Sequence, residues 1–554
     1  MRHLTLIPSW LRFLIVVLLV MGILFRFCNL DGKVYSGDET YTSLRISGYT
    51  VDEVKQQIFD GSVISQESFT KFQSPNLDTG VSETIMSMVK EDPQHPPLYY
   101  LIVRFWVEIF GNSVTAIRSL SAFISLLVFP CIYWLCRELF DVPLSLPGVA
   151  IALIAVSPIQ LIYAQEAREY ILWLVTIIIS SASLLQAIRL ESKDKNDLEK
   201  RQQLPDRFTT WGIYTVTLAV SLYTCLWSGF VAVAHGIYVI TTARFQLTET
   251  VRAYLLASVM GFVAFMPWMA ILVADFFQFL ISADGTTTQL SQMPLIPFWL
   301  MQISRIFFDL DLSLKKLVGY LISPIFLTLV GYAIYFLCRT TNYKVWLFIV
   351  ALIIVPALPL ILPDLISGGI RSNPEPYLMP SYLGIQLAVT YLLATQLYNK
   401  NLSCRSMWYM IVALVIICGL VSCRVSYQAE TWWSKGVSYD NLQVAKIINQ
   451  AERPLLISDS VGINYGNVFS LSYLVQPKVR FQLVQSQSIP NIPNSFTDVF
   501  ILNPAKRWRE QIATKYKSQI DIVYEDSYYS LWKLAQPRTS RQRVSPRRNR
   551  LPSS

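Results

Sequence analysis

Trp10 to Cys28 reads WLRFLIVVLLVMGILFRFC, an apolar run long enough to cross a bilayer as a helix. Ten residues beyond it stands the acidic pair Asp38-Glu39. Carboxylates beside the mouth of a membrane bundle lose hydration energy and are candidates for function. The structural alternative is a solvated turn or helix N-terminus at Gly37-Asp38-Glu39-Thr40, where acidic residues suit the helix dipole. The pair alone favours the structural alternative.

Composition places the chain among polytopic α-helical membrane proteins. Of its 554 residues, 53% are hydrophobic and 15% are charged, and the mean hydropathy is +0.41. The apolar residues form long blocks, which membrane-spanning helices accommodate. The net charge of +9 lies largely in the tail Arg538 to Arg550 and in short loops, so it does not indicate nucleic-acid binding. No small-residue cleavage site follows the first block, so we expect a retained signal-anchor.

Apolar blocks of near-spanning length predict eleven membrane spans. Basic residues cluster in the short loops on the side of Arg2 and Arg12, which the positive-inside rule makes cytoplasmic. We therefore expect a multi-pass protein of the cell (inner) membrane, with the loops 31–117, 274–316 and 364–376 and the chain after Arg424 extracytoplasmic. The predicted spans are 11–29, 118–137, 147–164, 169–190, 210–226, 228–244, 252–273, 317–338, 345–363, 377–397 and 408–424.

One further apolar stretch, Pro97 to Gly111, is too short to span. Arg104 and Glu108 stand four residues apart on one face of it, a pattern typical of a helix lying in the interface plane. Counting this stretch as a span would make twelve and would place the C-terminal region inside the cell.

After Arg424 short β-type runs alternate with helical stretches, which predicts a small extracytoplasmic α/β domain. The expected strands are 454–458, 479–483, 498–502, 520–524 and 528–534, with helices at 437–450 and 505–517. This region has no glycine-rich phosphate loop and no histidine, which favours an accessory role. The predicted domains are 1–424 (membrane domain, including the loop 31–117 with its interfacial helices), 425–536 (α/β domain) and 537–554 (basic disordered tail).

The motifs of nucleotide hydrolysis and zinc proteolysis do not occur, and the eight cysteines show no metal-binding spacing. Polar residues instead collect at the outer ends of the predicted helices: the acidic pair, His95, the segment Ser157–Tyr170, and Arg371. Carboxylates together with arginines at one membrane face suit the deprotonation of an acceptor hydroxyl beside an anionic, lipid-linked phosphate.

Three stretches, in this order and at these spacings, resemble the GT-C superfamily of membrane glycosyltransferases. They are Asp38-Glu39; His95-Pro-Pro-Leu-Tyr-Tyr100 followed by Phe110-Gly-Asn-Ser-Val-Thr-Ala-Ile-Arg118; and Ser157-Pro158 through Tyr163-Ala-Gln-Glu-Ala-Arg-Glu-Tyr170. The resemblance is greatest to the family 39-type proteins, which include protein O-mannosyltransferases and aminoarabinose transferases of lipid A. It covers roughly residues 10–190, with a weaker match over 205–400 that includes Arg371 to Pro380.

The resemblance implies a GT-C bundle that transfers a hexosyl or pentosyl group, with inversion, from a polyprenyl-phosphate-linked donor to a lipid, glycan or protein hydroxyl. Asp38 would be the catalytic base, with Glu39 and Glu166 as the other acidic site residues. No cofactor is certain, and a divalent metal at His95 is left open. The residues implied in substrate binding are His95, Tyr163, Gln165, Arg168, Tyr170, Arg371 and Tyr377.

Each assignment has a structural alternative. Glu39 could be a solvated acid, Glu166 an ion-pair partner of Arg168, His95 a helix-start residue, and the arginines contacts to lipid headgroups. At the level of the whole protein, the competing class is a lipid or glycan transporter or flippase, which predicts internal repeats, discontinuous helices and charges near the bilayer midplane. A sensory or assembly protein is a third class, suggested by the large external C-terminal domain.

Overall fold

The computed structural model describes residues 8–75, 79–140, 145–194, 207–282, 295–310, 312–368, 372, 375–432, 435–485, 488–526 and 529–535. These residues form two compact units. The helical unit comprises Met1–Lys33, Tyr41–Thr50 and Phe72–Trp433, and the sheet unit comprises Val34–Thr40, Val51–Lys71 and Ser434–Ser554. Two stretches of the first loop therefore fold with the C-terminal region. The predicted domain boundaries stay predictions, and the tail 537–554 lies outside the described residues.

Helices dominate the chain as far as Gln428. The first ten are α1 (Ser9–Phe27), α2 (Gly37–Ser47), α3 (Val51–Ile58), α4 (Val81–Glu91), α5 (Leu98–Phe110), α6 (Val114–Leu126), α7 (Val128–Leu139), α8 (Ser145–Ala155), α9 (Pro158–Gln165) and α10 (Tyr170–Asp194). The next nine are α11 (Arg207–Thr224), α12 (Ser228–Thr242), α13 (Glu249–Ser282), α14 (Leu295–Ser304), α15 (Leu312–Thr340), α16 (Tyr343–Ile354), α17 (Leu358–Ser367), α18 (Met379–Gln396) and α19 (Leu402–Gln428).

Seven helical stretches in the described residues are long and apolar enough to cross a membrane, or up to nine if each of two bent helix pairs is one span. Nine of the predicted spans overlap these stretches; the other two, 210–226 and 228–244, coincide with α11 and the shorter apolar helix α12. The multi-pass helical architecture is confirmed, whereas the count of eleven is not. The stretches are Ser9–Phe27, Val114–Leu139, Tyr170–Ser192, Glu249–Asp275, Ile322–Thr340, Glu375–Gln396, Leu402–Gln428, and the pairs α8/α9 and α16/α17.

The stretch predicted to lie in the interface forms the helix α5. Arg104 and Glu108 pair across one turn, with Nε and Oε1 3.0 Å apart. The buried Arg104 guanidinium also donates to the carbonyl of Ile46 at 2.8 Å and to the Thr84 hydroxyl at 2.9 Å. Arg104 thus binds Ile46 and Thr84 to α5 as well as pairing along the helix.

The third predicted span is broken: α8 and α9 meet at an angle of 62°. Pro158 begins α9, where its missing N–H costs no helical hydrogen bond. The break leaves backbone carbonyls at the end of α8 that need donors inside the protein. Arg26 of α1 supplies them, donating from Nη1 to the Ala155 carbonyl at 2.9 Å and from Nη2 to the Ile154 carbonyl at 3.1 Å.

Two glycines let neighbouring helices approach this break closely. A Cβ added at Gly22 would stand 2.5 Å from the Ala155 carbonyl oxygen, and one added at Gly419 would stand 2.6 Å from that of Val156. Both distances are shorter than real Cβ contacts allow, so α1 and α19 reach the break only because these positions lack side chains.

In the sheet unit, the strands β1 (Asp60–Ser65), β2 (Pro454–Asp459), β3 (Arg480–Val484), β4 (Asp498–Leu502), β5 (Ile520–Asp526) and β6 (Tyr529–Leu534) form one sheet in the order β1-β3-β2-β4-β6-β5. β2 pairs in parallel with β3 and β4, and the remaining pairs are antiparallel. The accompanying helices are α20 (Gly436–Tyr439), α21 (Asn441–Gln450), α22 (Asn464–Ser472) and α23 (Lys506–Tyr516). The predicted small α/β domain is confirmed, with all five expected strands; β1 and α22 were not predicted.

The pairing of β1 with β3 constrains the topology. Ser65 lies opposite Arg480, although the two come from the first loop and the C-terminal region. All strands of a single sheet lie on one side of a membrane. The chain between β1 and β3 therefore crosses the membrane an even number of times. Ten predicted spans after the first satisfy this condition, and adding 97–111 as an eleventh would violate it.

We predict that Arg26→Met lowers the free energy of unfolding by about 2–4 kcal/mol, because the carbonyls of Ile154 and Ala155 lose donors where water does not reach them. Thermal unfolding in detergent measures the change. Arg12→Met is the matched control, since Arg12 is an exposed residue of the same helix. Equal stability of the two variants would contradict the assigned role of Arg26.

We also predict that Ser62→Cys and Ser495→Cys, each placed singly in a cysteine-free background, are labelled from the same side of the membrane. Both positions are exposed residues of the sheet unit. An impermeant maleimide applied to intact spheroplasts and to inverted vesicles provides the measurement. Labelling from opposite sides would contradict the pairing of β1 with β3.

Candidate active site

Glu39 caps the start of α2 rather than facing solvent. Its Oε2 accepts from the backbone N–H of Ser36 at 2.9 Å and from the Ser36 hydroxyl at 3.1 Å, while the Glu39 N–H is directed at Ser36 Oγ at 3.3 Å. This reciprocal arrangement is a capping box, with serine at the N-cap and glutamate at the third helical position. Glu39 is fully buried, so the alternative of a solvated acid is wrong.

Asp38 lies in the first turn of α2, where a carboxylate interacts favourably with the helix dipole. Unlike Glu39, its side chain is 58% exposed. Its Oδ2 accepts from Lys435 Nζ at 2.8 Å within the sheet unit. Asp38 therefore presents a carboxylate to solvent from a fixed helix start.

In the helical unit, α9 and the residues that follow it form most of the predicted polar segment Ser157–Tyr170. Gln165 ends α9, and its amide nitrogen donates to the carbonyls of Phe25 and Cys28 at 2.7 and 3.1 Å. Its amide oxygen accepts from Lys33 Nζ at 2.9 Å. Gln165 thus fixes the chain after α1, and its assignment to substrate binding stays a prediction. Glu166 follows, fully buried at the C-cap of α9.

His95, Arg168 and Asp92 form a chain of contacts in the same unit. His95 Nδ1 lies 2.6 Å from Asp92 Oδ1, and His95 Nε2 lies 3.1 Å from Arg168 Nη2. A guanidinium can only donate, so Nε2 is the acceptor and Nδ1 carries the proton donated to Asp92. Asp92 therefore sets the ring orientation of His95.

Burial would raise the pKa of Asp92, but the His95 hydrogen bond and the positive charges of Arg45 and Arg168 outweigh it and lower the pKa to about 2. Arg45 Nε lies 3.7 Å from Asp92 Oδ2, and Arg45 Nη1 lies 2.8 Å from Glu91 Oε2. Asp92 is consequently ionised over the whole physiological range.

An aromatic wall adjoins this cluster. The rings of Tyr163 and Tyr170 lie 5.5 Å apart, those of Tyr170 and Tyr377 lie 6.4 Å apart, and Tyr377 lies 5.5 Å from Trp227. The Arg168 guanidinium stands 5.6 Å from the centroid of Tyr170. The structure thus brings together five of the predicted substrate-binding residues: His95, Tyr163, Arg168, Tyr170 and Tyr377.

Comparison with known proteins gives matches only at the level of structure. No family model matches the chain, and no curated protein sequence matches it. The structure of ArnT from Cupriavidus metallidurans bound to undecaprenyl phosphate is similar to this chain over 95% of this chain and 98% of that chain, with 12% identity and a TM-score of 0.52. Its apo state gives the same coverage and TM-score at 11% identity.

The apo oligosaccharyltransferase from Archaeoglobus fulgidus is similar over 93% of this chain and 69% of that chain, with 13% identity and a TM-score of 0.50. ArnT and this oligosaccharyltransferase are both members of the GT-C superfamily. The chain has a GT-C fold. The fold expected from the three sequence stretches is thereby confirmed.

Sequence reasoning missed two charged residues in the helical unit of this GT-C fold. Buried Glu169 approaches His95 Nε2 at 3.6 Å and Arg168 Nε at 3.4 Å, and it accepts from the Tyr100 hydroxyl at 3.4 Å. Asp92, which orients His95, is the other. Both were visible as acids within three residues of a predicted site residue, but spacing alone did not show which would be buried.

Arg371 lies outside the described residues, but its neighbour Ser372 is described. The buried Asp364 accepts from the Ser372 N–H at 2.8 Å and from its hydroxyl at 2.7 Å. Trp299 Nε1 donates to the same hydroxyl at 2.8 Å. Ser372 is therefore anchored between α14 and α17.

The described residues contain no group of three or more His, Cys, Asp or Glu side chains that could hold a metal ion. At His95 the ring nitrogens contact Asp92 and Arg168, and a guanidinium on Nε2 opposes a cation there. The residues around His95 therefore do not fit the metal left open by the sequence, and no step is assigned to one.

We predict that Asp92→Asn lowers the free energy of unfolding by about 2 kcal/mol at pH 7. The lowered pKa of Asp92 means that the folded protein favours the charged carboxylate over the neutral form by about this free energy. A carboxyl whose pKa is lower in the folded state stabilises above its unfolded pKa, and that stability is lost as the pH falls toward the folded value. The difference between parent and variant should therefore be constant above about pH 5 and shrink to roughly half near pH 3.

Thermal unfolding of both proteins at pH 7, 5 and 3 measures this difference. Asp52→Asn is the control, because Asp52 forms an exposed ion pair with Lys55 at 3.3 Å and should contribute little at any pH. A difference for Asp92→Asn that does not change between pH 7 and pH 3 would argue against its charge as the cause.

Proposed function

We propose that this protein is an integral membrane glycosyltransferase. It transfers a hexosyl or pentosyl group from a polyprenyl-phosphate-linked donor to a hydroxyl of a lipid, glycan or protein acceptor at the extracytoplasmic face of the cell membrane. The observation that carries the proposal is the GT-C fold, matched along 95% of the chain by an ArnT structure bound to undecaprenyl phosphate. The membrane lipid that ArnT binds is the carrier this reaction would release.

In the proposed reaction Asp38 is the general base. An acceptor hydroxyl is a poor nucleophile until its proton can leave, and an ionised carboxylate can take that proton as the new carbon–oxygen bond forms. The acceptor oxygen attacks the anomeric carbon, the bond to the phosphate oxygen breaks, and polyprenyl phosphate departs with the electron pair, which inverts the configuration. The exposed carboxylate of Asp38 on a fixed helix start supports this role.

Glu39 supports Asp38 by position, because its capping box fixes the helical turn that carries both residues. We assign Glu166 as a second acidic residue of the site, given its burial directly after α9.

The donor phosphate is proposed to bind at Arg168 and His95, with Arg371 contributing as the sequence suggests. A guanidinium presents a planar fork that matches two phosphate oxygens, whereas an ammonium offers a point charge. Arg168 is buried and held by contacts to His95 and Glu169, so little side-chain entropy remains to be lost on binding. The tyrosines of the aromatic wall and Gln165 would line the remainder of the substrate site.

A transporter or flippase is the second candidate, and one observation favours it. Two spans, α8/α9 and α16/α17, are bent at breaks of the chain, a feature common in transporters. The two functions differ in product. Purified protein supplied with a polyprenyl-phospho-sugar and a hydroxyl acceptor releases polyprenyl phosphate only if it is a transferase, and a panel of labelled donors and acceptors identifies the substrates.

We predict that Asp38→Asn reduces turnover by about a hundred- to ten-thousand-fold, the usual loss for a missing base, because asparagine keeps the size and polarity but accepts no proton. Binding of the donor should be unchanged, since the phosphate contacts are assigned to other residues. Glu39→Gln is the matched control: glutamine also completes a capping box, so turnover should remain within a few-fold of the parent.

Turnover and donor binding are measured in the same preparations of the three proteins. If Asp38→Asn retains turnover within a few-fold of the parent, the base is another residue, and Glu166 is tested next in the same way.

A further inference from the structure

The chain segment that carries Asp38 is bound by the C-terminal region of the sheet unit. The Gly37 N–H donates to the Ser438 hydroxyl at 2.8 Å, and the Ser470 hydroxyl donates to the Tyr35 carbonyl at 2.5 Å. Both contacts fix backbone atoms within three residues before Asp38, one just ahead of α2 and one at its first residue. The position of this carboxylate therefore depends on residues some four hundred positions away in the chain.

A third contact, from Lys435, reaches the Asp38 side chain itself. Its Nζ lies 2.8 Å from Asp38 Oδ2, and 397 residues separate the two in sequence. The lysine side chain is only 15% exposed, so its stem is packed while its ammonium reaches the more exposed carboxylate. A lysine fixed in this way holds a partner more effectively than two mobile surface side chains do, because less entropy is lost in the contact.

We propose that Lys435 is a positioning residue for Asp38, which orients the carboxylate for proton transfer. This inference rests on the proposed function, in which Asp38 is the general base. A carboxylate accepts hydrogen bonds at about four positions, so one contact to Lys435 does not block protonation.

The C-terminal region is then part of the catalytic apparatus rather than an accessory domain. It contributes no group that touches the substrate in this scheme; its lysine and serines act through the segment 35–38.

Kinetics of the full-length protein in detergent test the role. Lys435→Met should lower kcat by about five- to tenfold, in keeping with the modest strength of a partly exposed pair, and should leave the KM for the donor within twofold. Lys435→Arg should restore most of kcat, because a guanidinium can also hold one carboxylate oxygen. Lys478→Met removes an exposed lysine of the same unit and should leave both constants unchanged.

A double variant separates action through Asp38 from a general structural effect. In the Asp38→Asn background, Lys435→Met should cause no further loss, because its target is already absent. A further five- to tenfold loss in that background would overturn the inference. A raised donor KM with unchanged kcat would do so as well, since it would assign Lys435 to donor binding.

The contact itself is tested without any assay of transfer. A water-soluble carbodiimide activates the Asp38 carboxylate, and the Lys435 amine then displaces the activating group, forming an amide that mass spectrometry of the digested protein detects. The cross-link should form in the parent and not in Lys435→Arg. A parent that cross-links but transfers no sugar contradicts the proposed function; an active parent that does not cross-link, or whose Lys435→Met variant keeps the parent kcat, contradicts the inference alone.

Discussion

The guanidinium of Arg26 on the carbonyls of Ile154 and Ala155 is the contact on which the rest of the helical unit depends. A broken helix inside a membrane protein exposes carbonyls that lipid cannot satisfy, so a break is stable only where the protein supplies donors. Arg26 supplies two hydrogen bonds from one charged group, and Gly22 allows α1 to come close enough to place it. The break redirects the chain into α9. Gln165 is the last residue of α9, and Glu166 and Arg168 follow within three residues.

The polar and charged residues around His95 and Arg168 are stabilised by one another rather than by solvent. Asp92 orients His95, His95 accepts from Arg168, and Glu169 contacts both, so no buried charge among these stands without a partner of opposite sign. The stability of such a network depends on every member, because removal of one partner leaves another charge buried and unpaired. The network also fixes the orientation of Arg168, so binding of the proposed donor phosphate would cost little side-chain entropy.

Most of the secondary structure could be predicted from sequence, because long apolar blocks and alternating strands are local signals. Pro158 marked a helix start, yet the break was not predicted, since the residue that permits it, Arg26, is more than a hundred positions away. The capping-box pattern of Ser36 and Glu39 agrees with the helix N-terminus that the sequence offered as the alternative for this acidic pair. β1 was missed because it lies in an acidic loop far from its partner strand. The capping-box spacing distinguishes Glu39 from Asp38 locally, whereas the ion pair of Asp38 depends on Lys435, 397 positions away.

The place of β1 in the sheet has a consequence for biosynthesis. Gln482 of β3 donates to the carbonyl of Gly61, a residue made 421 positions earlier. At the usual rate of translation the ribosome needs about 20 to 80 seconds to make the intervening chain, and every one of the later helices must insert meanwhile. During that interval β1 has no sheet to join and remains an unpaired strand, a state that invites pairing with other chains. The nascent protein therefore carries β1 as an unpaired strand until β3, in the last quarter of the chain, has been made.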